Sequence, residues 1–154
     1  MREYWGSGYS GVGGGGGGGG GSGTLVTLIV ADNVSVGSIV SLDVNGEAQL
    51  ADPSLALTPD KYNALGVAKT VGNIGDSVKF YTDMISLVPV LFAAVPLATD
   101  NGKRVYLSTT PGEATLTAPG VGNALVLVGI LKGADGITAT PTVMIQFQVV
   151  ALDT

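Results

Sequence analysis

Nine consecutive glycines, Gly13, Gly14, Gly15, Gly16, Gly17, Gly18, Gly19, Gly20 and Gly21, divide the chain into parts that cannot share one secondary-structure element. Glycine loses more backbone entropy on ordering than any other residue. A free run of this kind behaves as a flexible coil with a reach of roughly 5–6 Å × √n. The sequence therefore reads as an N-terminal arm (residues 1–12), a polyglycine hinge (residues 13–23) and a body (residues 24–154). A second reading makes the glycines a stalk, several copies packing as three-residue-per-turn helices at a symmetry axis where nothing larger fits. That reading requires an oligomer.

The arm, MREYWGSGYSGV, carries Tyr4, Trp5 and Tyr9 among glycines and serines. So short a segment cannot bury its own rings, and Trp and Tyr combine large contact area with a hydrogen-bonding tip, which makes them frequent anchors at interfaces. The three aromatics are expected to dock on a partner surface.

The body, of about 130 residues, suits one domain, with two small subdomains as the alternative. Only 12% of residues are charged and 45% are hydrophobic, a balance that leaves apolar surface for other copies or another protein to cover. The net charge of −5 comes without any basic cluster, so nucleic acid is not an expected partner. With no cysteine, neither disulfides nor thiol chemistry is available. The longest apolar stretch, around Leu87 to Leu97, is short and broken by proline, so no membrane span is expected.

From Thr24 onward the pattern is β. Thr24 to Val30 is a β-branched run of strand length; Ile39, Val40 and Leu42 lead to Asn45-Gly46, a strong hairpin signal, and Glu47 to Leu50 returns. Thr58-Pro59-Asp60 permits one helical turn before extended structure resumes at Leu65 to Ala68. Val78 to Tyr81 is a further strand. The apolar run Ile85 to Val95 contains Pro89, which excludes an uninterrupted central strand, and is expected to form an edge or an oligomer interface through Leu87, Val88, Val90, Leu91, Phe92 and Val95. Alternation at Val143, Ile145, Phe147 and Val149 closes the body.

Residues 37–66 and 102–129 share one rhythm. Val40 and Leu42 match Val105 and Leu107; with one residue inserted, Gly46-Glu47-Ala48, Leu50 and Pro53 match Gly112-Glu113-Ala114, Leu116 and Pro119; Leu65-Gly66-Val67 matches Val128-Gly129-Ile130. Such a repeat implies two copies of one supersecondary unit, each needing the other to cover its apolar face. The expected fold is all-β, a single barrel or sandwich built from two pseudo-repeated units.

These residues also carry a resemblance. Ala31-Asp32-Asn33-Val34 with Gly37, Val40 and Leu42, the phrase Gly46-Glu47-Ala48, Leu65 to Ala68, Val105-Tyr106-Leu107-Ser108 and Gly112 to Pro119 resemble the small β modules of tailed-bacteriophage virion proteins of the head-decoration or head-fibre type. The resemblance covers roughly residues 31–150 and lies in rhythm more than in a diagnostic motif. It implies a non-enzymatic component of the virion exterior, made in the host cytoplasm. It also implies a homotrimer, with the arm fastened to the major capsid protein or another virion protein. The long polyglycine departs from compact decoration proteins and is more like a fibre or adhesin.

Chemistry-bearing constellations are scarce. Without histidine or cysteine there is no Ser-His-Asp triad and no zinc site of the usual ligand types, and no cofactor is expected. Asp32, Asp43, Asp52, Asp76, Asp100 and Asp135 each lie within two residues of Gly, Asn or Pro, where aspartate bonds its own backbone in turns. Glu47 and Glu113 are expected to pair with a Lys or Arg on a neighbouring strand; a glycosidase carboxylate pair is the weakest alternative. The leading function is a capsid decoration or head-fibre protein docked by its arm. The alternative is a tail-fibre or adhesin tip binding a host glycan or protein, with Tyr62, Tyr81 and Tyr106 able to stack on sugars.

Overall fold

The computed structural model describes residues 25–56, 61–82 and 87–152. The docking aromatics Tyr4, Trp5 and Tyr9, the hinge Gly13 to Gly21 and the start of the helical turn at Thr58-Pro59-Asp60 lie outside the described residues.

The described chain is all-β. Its strands are β1 (Leu25–Ile29), β2 (Ile39–Leu42), β3 (Ala48–Leu50), β4 (Gly66–Ala68), β5 (Ser77–Tyr81), β6 (Leu87–Pro89), β7 (Arg104–Leu107), β8 (Ala114–Thr115), β9 (Ala124–Leu131) and β10 (Thr142–Leu152), with a 3-10 turn at Ala98–Asp100. Period-two alternation decides which side chains go inward: in β5, Val78 and Phe80 are buried while Ser77 and Lys79 face out. The hairpin at Asn45-Gly46 forms as expected, Leu42 pairing with Ala48 and Gly46 taking φ 80°. The Asp43 carboxylate accepts the N–H groups of Asn45 and Glu47, both at 2.8 Å, and holds the turn.

Two antiparallel five-stranded sheets result, ordered β1-β5-β4-β2-β3 and β6-β10-β9-β7-β8. Adding five to each label of the first order gives the second, so both halves have one topology. Register repeats as well. Ile39 and Val40 face Val67 and Gly66, as Arg104 and Val105 face Ile130 and Gly129. Ser41 pairs with Gln49 as Tyr106 pairs with Thr115, and Val67 pairs with Tyr81 as Ile130 pairs with Met144. In each half one parallel bridge, Val30 to Ala48 or Phe92 to Ala114, brings the chain just beyond the first strand onto the last and curls the sheet toward a barrel. The repeated unit thus covers residues 25–82 and 87–152, wider than residues 37–66 and 102–129.

The cores divide unevenly. Val30, Val34, Val40, Ala48, Ala68, Val78 and Phe80 fill the first unit alone. The larger cluster joins the interior of the second unit, including Val88, Val105, Leu107 and Val143, to Ile39, Ala51 and Val67 from the outer face of the first. Burying a side chain of this size contributes roughly 1.5–3 kcal/mol. The first unit therefore sits with its outer face on the open end of the second, and the two share one core.

Candidate interaction surface

The acidic side chains serve the loops. Asp52 accepts the Ser54 N–H, Asp76 the Asn73 N–H, and Asp32 the Leu50 N–H, each at 2.9 Å. Asp135 accepts the N–H groups of Thr138 and Ile137 and the Thr138 hydroxyl, which lower its pKa to about 2. The Lys103 ammonium at 2.7 Å, with the Leu97 N–H, holds the Asp100 carboxyl below the usual range. These bonds give Asp52, Asp76, Asp100 and Asp135 the turn role expected of the aspartates; Asp32 departs from it, since its partner Leu50 is eighteen residues on, in β3. Glu47 and Glu113 occupy equivalent turn positions in different units, and among the described residues neither has a hydrogen bond or ion pair through its carboxylate. The expected pairing with a strand Lys or Arg is therefore corrected: both glutamates are half-buried in turns with unpaired carboxylates.

The apolar run is also redistributed. Val88 and Val90 are fully buried and Phe92 nearly so, all three inside the larger core of their own chain. They are not available to a second copy, because the alternate side chains from β6 at the sheet edge through to the bridge at Phe92 are directed inward. Leu91 is half-buried, and Leu87 and Val95 are exposed. Of the tyrosines considered for sugar stacking, Tyr62 and Tyr81 pack against the core, while Tyr106 lines a surface depression.

What sequence reading missed is the joint between the units. The Ile39 N–H donates to the Gly112 carbonyl, and the Gly112 N–H donates to the Ala51 carbonyl, both at 2.8 Å, so the second unit's turn is wedged between β2 and the end of β3. The Leu91 N–H donates to the Gly37 carbonyl at 2.9 Å. Two glycines make this approach possible. A Cβ on Gly37 would lie 2.6 Å from the Leu91 nitrogen, and one on Gly112 would lie 2.6 Å from Leu50 Cδ2. Their repeat mates, Gly102 and Gly46, have open space at the same position.

The covered face of the first unit has an uncovered twin. Ile39, Ser41 and Ala51 are fully buried and Gln49 nearly so. At the equivalent positions of the second unit, Arg104 and Thr117 are exposed, and Tyr106 and Thr115 are half-buried. Two depressions flank this face. One of about 210 Å³ is lined by Arg104, Tyr106, Leu125, Leu127, Gln148 and Val150; the other, of about 220 Å³, includes Val95, Thr115, Leu116 and Thr117. Both are smaller than most small-molecule sites, which span roughly 300–1,000 Å³. Among the described residues no group of three His, Cys, Asp or Glu side chains is placed to hold a metal ion. A polarity difference between repeat-matched strand positions, Ile39 against Arg104 and Ala51 against Thr117, is the sequence signal that marks this face. No protein-family model matches the chain, and no curated protein matches it.

Proposed function

We infer that the chain is a non-enzymatic structural protein of a particle exterior, a capsid decoration or head-fibre component of a tailed bacteriophage. In this reading it assembles with itself as a trimer and docks through Tyr4, Trp5 and Tyr9. The observation that carries it is the surface of the body: Val44, Val121 and Ile137 are each more than three-quarters exposed, in a chain with only 12% charged residues. The aspartates, committed to backbone N–H groups, support a scaffold more than a reaction centre. The resemblance in rhythm to head-decoration modules supports that location. Three arms on glycine hinges would make the second and third docking events intramolecular, at effective concentrations up to the order of mM.

Imaging of particles from a source lysate, labelled with an antibody against the folded body, tests the reading. Label spread over heads is the expected result, lost on deletion of residues 1–23 while the body still folds. Label confined to tail ends favours the adhesin reading, and particles without label overturn both.

A further inference from the structure

We propose that copies of this chain join head to tail by repeating the internal joint, the second unit of one copy seating its β7–β8 face on the first unit of the next. This deepens the self-assembly part of the function inferred above and names its surface.

The internal joint has two sides. The first unit supplies the face around Ile39, and the second supplies the Gly112 turn with Leu91. Because the units share topology and register, each unit carries both sides, and one of each remains uncovered. On the second unit it is the face around Arg104 and Thr117, with open space at Gly102. On the first unit it is the turn at Gly46, again with open space, and the exposed Ile29 just before the bridge at Val30. The two free sides face different neighbours, so the contact is heterologous, and successive copies close a ring or extend as a chain according to the rotation per step.

Charge separates the intermolecular joint from the internal one. Where the internal face has Ile39, the free face has Arg104, whose guanidinium has no hydrogen bond or ion pair among the described residues. The free turn that would meet it runs Asp43-Val44-Asn45-Gly46-Glu47, with the Glu47 carboxylate likewise unpaired among the described residues. Opposite charges at matched positions favour this register over contacts between like faces. Arg and Tyr, at positions 104 and 106, are residue types enriched at interface centres. The covered face of the internal joint is uncharged, with Ser41 and Gln49 beside Ile39 and Ala51, whereas the face between copies carries Arg104.

The test is charge reversal in the full chain, read by sedimentation and light scattering. Wild type is expected to form oligomers. Arg104→Glu and Glu47→Lys should each raise the dissociation constant by about tenfold or more, with unchanged circular dichroism, and the double reversal should restore association. In the cysteine-free background, Thr117→Cys with Gly46→Cys should give thiol cross-links between copies, since their counterparts Ala51 and Gly112 are hydrogen-bonded across the internal joint. A monomeric wild type, or an oligomer indifferent to both reversals and not cross-linked by this pair, overturns the proposal. A monomer that still labels particles would refute the joint and leave the particle role standing.

Discussion

Gly37 and Gly102 form a matched pair that isolates what the joint contributes to stability. Both have positive φ, 87° and 92°, and both donate to equivalent carbonyls, Ala68 at 2.9 Å and Leu131 at 2.8 Å. Alanine at either site meets the same left-handed backbone penalty, about 1–2 kcal/mol. At Gly102 nothing else lies within 4 Å of the new Cβ. At Gly37 the new Cβ would meet the Leu91 nitrogen at 2.6 Å, the Val90 carbonyl carbon at 3.1 Å and the Pro89 oxygen at 3.3 Å. All three are backbone atoms and cannot rotate aside, so relief requires moving β6 off the first unit. Overpacking of this kind adds about 1–3 kcal/mol. Urea unfolding at low protein concentration, where copies are apart, reads the difference. With a slope of about 2 kcal/mol/M, Gly37→Ala should unfold roughly 1 M earlier than Gly102→Ala. Equal midpoints for the two variants would refute the account of the joint.

Further outcomes follow from other contacts. Gly129→Ala should destabilise far more than Gly66→Ala, because its Cβ would overlap the Met144 carbonyl oxygen, whereas the nearest atom at Gly66 is 3.2 Å away; thermal melts of the two variants decide it. Asn101 links two loops, its amide donating to the Ala98 and Ala134 carbonyls and its oxygen accepting the Ala134 N–H. Asn101→Ala should therefore cost about 1–3 kcal/mol in urea unfolding. Asp135, with its pKa lowered to about 2 by the Thr138 and Ile137 N–H groups and the Thr138 hydroxyl, favours the folded state above the ordinary aspartate pKa of about 3.9. That contribution is lost as pH falls through about 2. The stability gap between wild type and Asp135→Ala should be full at pH 6 and shrink over that acid window, and a pH-independent gap would contradict the assignment.

The β class and the duplication were legible because hairpin chemistry is local. Asn45-Gly46 and the Gly-Glu-Ala phrase fix turns within a few residues, and Gly66 and Gly129 mark where a neighbouring strand passes close. The outer strands were not recognised as repeats. β1 and β6 share the dipeptide Leu-Val (Leu25-Val26 and Leu87-Val88) but differ beyond it, β5 and β10 share alternation and sheet position with little residue identity, and alternation alone does not set strand order. The run from Leu87 to Val95 fits an interface or a core equally well by composition, and only the tertiary fold showed Val88, Val90 and Phe92 turned inward. The joint was invisible for a related reason: whether Ile39 and Ala51 are covered depends on a turn more than sixty residues away in sequence, at Gly112.

The shared core also orders events on the ribosome. The first unit is contiguous in sequence and emerges first, but its private core is small, and β-domains of about 60 residues are marginal by themselves. Its face at Ile39, Ala51 and Val67 stays bare until Leu91, Gly112 and Ala124 have been made. At about 5–20 residues per second, the stretch from Tyr81 to Ala124 takes several seconds to appear. During that interval a nascent chain presents the same apolar face that another nascent chain's second unit is shaped to cover. Neighbouring ribosomes on one message could therefore exchange units, giving intertwined products held by the same buried, hydrogen-bonded joint, which do not dissociate when diluted.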